Sequence, residues 1–280
     1  MIYLLLSILS SAMISIVMRL SEGKVKSKLC MIATNYVICF ILSWGFGGFG
    51  NPFPWGEGML ATLGMGSFNG LFYMLALVFG QYCIAKNGVI LSSVFSKTGA
   101  LVIPLLMSVL IFAEIPTIFQ FLGFVLALIA VVALNYRKEE GTGSKLRWSM
   151  LALFATEGLA GVMAKVFNEV GRSGQDFQFL LFTFLTAFTF CIIIILWKKE
   201  KFGLREMFFG TMIGVPNYFA SQFVLMALGT VPAVVVYPAK GVATIGVITL
   251  VGLFAFKEKL NRQQVLAMGV IVVALVLLSI

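Results

Sequence analysis

Runs of about twenty apolar residues follow one another along almost the whole chain, and the polar segments between them are no longer than about twelve residues. A helix of that length crosses the hydrocarbon core of a bilayer. The chain of 280 residues is 60% hydrophobic and 11% charged, whereas soluble domains are about a quarter charged. The runs do not alternate in polarity, which favours helices over the strands of a membrane barrel. The sequence therefore predicts an all-α integral membrane protein.

Ten segments are long enough to span a bilayer as helices. Their predicted bounds are 2–19, 30–46, 58–80, 88–112, 116–136, 147–169, 177–197, 207–228, 231–256 and 261–280. The division between the third and fourth segments is the weakest, because only Gln81, Lys86 and Asn87 interrupt the apolar run there.

Basic residues are distributed unevenly among the predicted loops. The loops after odd-numbered spans hold 16 of the 20 lysines and arginines, and the loops after even-numbered spans hold only Arg172. Because cytoplasmic loops are enriched in Lys and Arg, odd-numbered loops are expected inside the cell and both termini outside. The net charge of +9 then reflects topology and contact with lipid headgroups, and no nucleic-acid partner is expected.

The two halves of the chain resemble each other in order. The matched positions are Arg19 with Lys165, Gly66 with Gly214, Asn69 with Asn217, Lys97 with Lys240, Glu114 with Glu258, and Gln120 with Gln264. The sequence predicts a first five-helix repeat over 1–136, a cytoplasmic linker over 137–146 and a second repeat over 147–280. Five is odd, so the second repeat enters the membrane inverted, an arrangement typical of secondary transporters.

This pattern resembles the drug/metabolite transporter superfamily, in its ten-helix EamA-like branch. The resemblance rests on the five-plus-five arrangement, on Pro104 in the fourth span, and on Glu114 and Glu258 after spans four and nine, and it covers nearly the whole chain. It implies a transporter of small metabolites, and in the related sugar-phosphate carriers basic residues on the corresponding helices bind the anion. The second half departs from the pattern: it has no proline matching Pro104 and carries Pro238 earlier.

Charged residues inside the predicted spans are candidate site residues, because an ionised group in the bilayer is costly unless it is paired or faces water. Lys97 and Lys240 each lie about nine residues into their spans, near the midplane, and are predicted to bind substrate. Glu157 is a candidate proton-coupling carboxylate. A structural ion pair between Glu157 and a lysine is the alternative for all three residues.

Uncharged polar residues could complete the site. Asn69 and Tyr73 share one helix face, as do Asn217 and Ser221, and Tyr237 lies close to Lys240 in sequence. We expect them to line a cavity, although hydrogen bonds between helices would explain them equally well. Gly66 with Gly70 and Gly210 with Gly214 are expected to allow close helix packing. Prolines within spans could act as hinges.

The predicted function is secondary transport of a small polar metabolite, anionic or zwitterionic, driven by a proton gradient or by exchange. The chain has no phosphate-binding motif of the GxxxxGK[ST] type. It has no histidine and no CxxC pair, so neither a metal nor a cofactor is expected. A lipid-carrier flippase and a cationic-drug exporter of the same fold are alternatives, and an intramembrane enzyme is a further one.

Overall fold

The fold is seen in a computed structural model. The structure describes residues 2–48, 50–51, 56–112, 117–119, 121–123, 125–126, 129, 136–139, 142–146, 148–172, 174–228, 233–257 and 262–277. Within these residues the chain is almost entirely helical, which confirms the predicted helical class.

The long helices follow the predicted spans closely. They are α1 (Ile2–Ser21), α2 (Lys28–Phe46), α3 (Met59–Asn87), α4 (Val89–Phe112), α5 (Trp148–Val170), α6 (Asp176–Lys198), α7 (Leu204–Leu228), α8 (Ala233–Phe254) and α9 (Arg262–Leu277). Most of the predicted fifth span, 116–136, lies outside the described residues.

Five of these helices, α1, α2, α3, α5 and α6, are long and apolar enough to cross a membrane. The 20 residues of α1 extend about 30 Å, which is the thickness of the hydrocarbon core. All four cysteines are buried thiols, as small apolar side chains are expected to be. The total of ten spans and their orientation stay predictions.

The predicted linker contains a short antiparallel hairpin. Strands β1 (Tyr136–Glu139) and β2 (Thr142–Leu146) pair through Tyr136 with Leu146 and Arg137 with Lys145. The sequence pattern did not indicate these strands, because the segment is charged and glycine-bearing and has no alternating apolar face.

Helix α3 continues seven residues past the predicted end at residue 80. Gln81 is 1% exposed, and its side-chain amide donates to the Met18 carbonyl and the Ser21 hydroxyl, both at 3.3 Å. A glutamine that satisfies its amide on a neighbouring helix does not end a helix. Residue 80 is therefore too early as the end of the helix, and where the membrane span ends stays a prediction.

Helix packing pairs elements from opposite halves of the chain. Helix α2 packs on α7, α3 packs on α6, and α4 packs on α5. Gly210 faces the Met31 carbonyl, and Gly66 faces the Phe179 carbonyl, so closely that an added Cβ would lie 2.6 and 2.9 Å from these oxygens. Small residues thus let the helix backbones approach, as the glycine spacing predicts.

Two loops dock at the end where α2 and α7 begin. The Glu206 carboxylate accepts hydrogen bonds from the backbone N–H of Lys26 at 2.6 Å and of Ser27 at 3.3 Å. The Ser27 hydroxyl caps α2 by accepting from the Cys30 N–H at 3.0 Å, and it donates to Glu200. These carboxylates lie where the helix dipole of α2 favours negative charge.

A second pair of loops docks at the end where α3 and α6 begin. The Arg172 guanidinium donates to the Glu57 carbonyl at 2.9 Å and contacts its carboxylate at 3.3 Å. Gln175 donates to the same carbonyl at 3.3 Å and accepts from the Thr62 hydroxyl. Each end of the helical body is therefore held by contacts between one loop of each half.

Candidate functional site

A cavity of about 180 Å³ lies between α1, α3, α4, α5, α6, α7 and α8. It is lined by seven of the eight residues that the sequence singled out. These are Asn69, Tyr73, Lys97, Glu157, Asn217, Ser221 and Lys240. Tyr237 belongs to α8, and its side chain lies outside the described residues.

The two lysines reach this cavity from the two halves of the chain. Lys97 is on α4 and Lys240 is on α8, two helices that pack against each other, and both side chains are partly buried. Glu157 on α5 is also partly buried, and these three are the charged groups in the described lining. When all three are ionised, the cavity carries a net charge of +1, which favours an anion.

Among the described residues, Glu157 is hydrogen-bonded to a hydroxyl group. The Ser96 hydroxyl donates to the Glu157 carboxylate at 2.8 Å. No ion pair joins Glu157 to Lys97 or Lys240 within the residues that the structure describes. A tight Lys–Glu pair, the structural alternative weighed above, is therefore not the arrangement seen in this conformation.

Close contact between α4 and α5 places Lys97 and Glu157 on the same cavity. Gly99 fits against the backbone of Phe154, where an added Cβ would lie 2.8 Å from the Phe154 Cα. Gly158 fits against α4 in return, where an added Cβ would lie 2.7 Å from the Gly99 carbonyl oxygen. The two glycines therefore set the spacing of the helices that carry the charged groups.

Four predicted polar contacts are already hydrogen-bonded between or along helices. The Asn69 amide donates to the Thr183 hydroxyl at 3.1 Å, and the Asn217 amide donates to the Asn35 side-chain oxygen at 3.1 Å. The hydroxyls of Tyr73 and Ser221 lie 3.1 Å apart and join α3 to α7. These groups hold helices together at the wall of the cavity, which is the alternative that the sequence left open.

The sequence reasoning missed a set of serines in the cavity wall. They are Ser11 and Ser15 on α1, and Ser92, Ser93 and Ser96 on α4. The serines of α4 could have been found from their spacing. Ser96 lies four residues after Ser92, and Lys97 lies four residues after Ser93, so each pair shares a helix face. A serine in a predicted span does not by itself indicate a site, since its hydroxyl can form a hydrogen bond to the backbone of its own helix.

Among the described residues, no three side chains of the His, Cys, Asp and Glu types cluster as metal ligands would. The described lining of the cavity offers hydroxyls, amides, ammonium groups and one carboxylate, which can bind and orient a polar solute.

Comparisons with known proteins support the fold and leave the activity open. No family model matches the chain. A protein of Haemophilus influenzae, described as uncharacterized, is 23% identical over 269 residues, covering 92% of this chain and 91% of that protein. A solved crystal structure matches with a TM-score of 0.65 and 14% identity over 99% of this chain and 94% of that chain. The overall fold is thus shared with that structure, and membership of the drug/metabolite transporter superfamily stays a prediction.

Proposed function

We propose that the protein is a secondary transporter that moves a small anionic or zwitterionic metabolite across the cell membrane by alternating access. The observation that carries this proposal is that Lys97 and Lys240, from opposite halves of the chain, line the same cavity. Two ammonium groups against one carboxylate leave a positive imbalance, and an arriving carboxylate or phosphate would neutralise it. We place this cavity near the middle of the bilayer.

The packing of the helices supports an inverted repeat. If the predicted spans correspond across the halves, α2 is the counterpart of α6, and α3 is the counterpart of α7. The contact of α2 with α7 then has a counterpart in the contact of α6 with α3, and both contacts are present. The loop contacts at the two ends of the body correspond in the same way. This symmetry suits a carrier that exchanges two conformations of similar free energy.

The alternatives differ in what the cavity must hold. A cationic-drug exporter would need a net negative site, and the two lysines argue against it. A lipid-carrier flippase would need an opening toward lipid between helices. An intramembrane enzyme would turn its substrate over in detergent, without any vesicle. Glu157 is the carboxylate that we propose for coupling to a proton gradient, with exchange of solutes as the other source of drive.

Ligand-induced stabilisation of the purified protein tests this proposal without knowledge of the direction of transport. Binding raises the unfolding free energy by about 2.7 kcal/mol at a ligand concentration one hundred times Kd. We expect pools of phosphorylated or carboxylated metabolites to raise the melting temperature and pools of simple amines to leave it unchanged. Lys97→Gln and Lys240→Gln should each weaken binding about tenfold, or about 1.4 kcal/mol.

Lys201→Gln is the matched control, because Lys201 is an exposed loop residue away from the cavity. It should leave ligand binding unchanged. A cation without an acidic group as the preferred ligand would contradict the proposed substrate class, and so would normal binding by both cavity variants.

A further inference from the structure

A row of buried hydroxyl groups occupies one wall of the cavity beside the lysines. Ser92 and Ser93 are 1% and 3% exposed, and both line the cavity. Their Oγ atoms have no hydrogen-bond partner within the described part of the chain. Ser11 and Ser15 on α1 also belong to the lining.

These hydroxyls differ from most of the other polar groups of the wall, although the side-chain oxygen of Asn69 likewise has no partner among the described residues. Asn217, Tyr73 and Ser221 have interhelical or intrahelical partners, and Ser96 donates to Glu157. Ser92 and Ser93 instead keep both their donor and their acceptor capacity. Neither Oγ is accessible from the cavity in this conformation, so a rotation about χ1 is needed to bring either hydroxyl to a solute. Because buried polar groups are nearly always hydrogen-bonded in a working protein, a bound solute is the partner that each hydroxyl lacks.

Ser92 and Ser93 lie about one helical turn before Lys97 on α4. Ser93 precedes Lys97 by four residues on the same face of α4, which is about 6 Å along the helix axis. If the acidic group of a solute is held at the lysines, the solute atoms that lie three or four bonds from that group would be beside Ser92 and Ser93.

We propose that Ser92 and Ser93 form a hydroxyl subsite and that the solute is a polyhydroxylated acid, bound by its acidic group at the lysines and by its hydroxyls at α4. This inference rests on the proposed function. A serine hydroxyl both donates and accepts, as does a hydroxyl of the solute, so each can satisfy the other in either orientation. A solute with an alkyl chain in that place would leave the two serines unpaired.

Two pairs of acids that differ only in their hydroxyls test the subsite. The probes are glycerol 3-phosphate against propyl phosphate, and gluconate against hexanoate, each titrated against the purified full chain in detergent with the melting temperature as the readout. We expect at least one hydroxylated acid to bind about tenfold more tightly than its partner. In the double variant Ser92→Ala/Ser93→Ala this preference should disappear, while weak binding of the alkyl acid remains.

Ser43→Ala is the matched control. Ser43 is a buried helix serine away from the cavity, and its hydroxyl donates to the Phe177 carbonyl at 3.0 Å. It should keep the preference for the hydroxylated acid. The double variant should melt no earlier than the parent without ligand, because it removes two hydroxyls that have no partner among the described residues.

Each outcome decides between the subsite and the proposed function. Equal binding of both members of every pair would overturn the subsite, as would a preference that survives in the double variant. If the acids of a pair bind equally and Lys97→Gln no longer binds them, the proposed anion site stands without the subsite. If none of the four acids stabilises the protein, both the subsite and the proposed anion site are contradicted.

Discussion

The contact between α4 and α5 gives the sharpest prediction, because the substitution Gly99→Ala places a methyl group against backbone. The added Cβ would lie 2.8 Å from the Phe154 Cα and from its carbonyl carbon. Carbon atoms pack favourably at about 3.5–4.0 Å, so the two helices must separate by about 0.7 Å or more. The backbone of α5 cannot rotate away as a side chain could.

Overpacking of this kind costs about 1–3 kcal/mol. Replacing glycine by alanine stabilises a helix by up to about 1 kcal/mol, which offsets part of this loss. We therefore expect a net loss of about 1–2 kcal/mol, with weaker ligand binding because the separated helices carry Lys97 and Glu157. For a chain of this size the loss corresponds to a fall in melting temperature of about 1.7 °C per kcal/mol.

The assay is thermal unfolding of the detergent-solubilised variants, with and without ligand. Gly246→Ala is the matched control, since Gly246 lies within α8 with nothing within 4 Å of an added Cβ. It should melt at the same temperature as the parent or slightly above it. Equal melting temperatures for Gly99→Ala and Gly246→Ala would refute the close approach of α4 and α5.

Three further predictions concern the coupling carboxylate, a loop contact and the topology. Glu157→Gln should abolish uphill transport and spare exchange if the carboxylate couples protons. If it balances a lysine instead, it should lower the melting temperature. Burial raises the pKa of Glu206, but hydrogen bonds from the backbone N–H groups of Lys26, Glu206 and Ser27 outweigh it and hold the pKa below its ordinary 4.5. Its stabilising effect is therefore present above pH 4.5 and is lost as the pH falls through the folded pKa, so the deficit in the melting temperature of Glu206→Gln should shrink on acidification. Reporters that are active on only one side of the membrane should place the C-terminus outside the cell and the segment 141–145 inside. A cytoplasmic C-terminus would overturn the predicted orientation.

Much of the fold follows from the length of the apolar runs, since each must be a helix once lipid is the solvent. Reasoning of this kind gives the helix ends less well where a polar residue has a partner far away in the sequence. Gln81 looked like the end of a span, yet its amide binds α1 and the helix continues to Asn87. The hairpin from Tyr136 to Leu146 also escaped prediction, because turn and strand preferences are weak in so short a charged segment.

The candidate site was predictable to the extent that its residues are costly in a membrane. Lys97, Lys240 and Glu157 stand out in any apolar span, and the structure brings all three to one cavity. Whether a polar side chain bonds to a neighbouring helix or faces open space depends on packing that the sequence does not display. Asn217 could therefore not be told from Ser92, although the side chain of Asn217 is hydrogen-bonded and the Ser92 hydroxyl has no partner within the part of the chain that the structure describes.

Vectorial movement of a solute is the central claim, and counterflow in proteoliposomes tests it most directly. Vesicles would be loaded with the acid that stabilises the protein most, and uptake of the same acid in labelled form would be followed from outside. The account predicts transient accumulation of label above the external concentration, with strongly reduced accumulation for Lys97→Gln and Lys240→Gln and unchanged accumulation for Lys201→Gln. Uptake no greater than that of protein-free vesicles, by protein that still binds the acid, would contradict it.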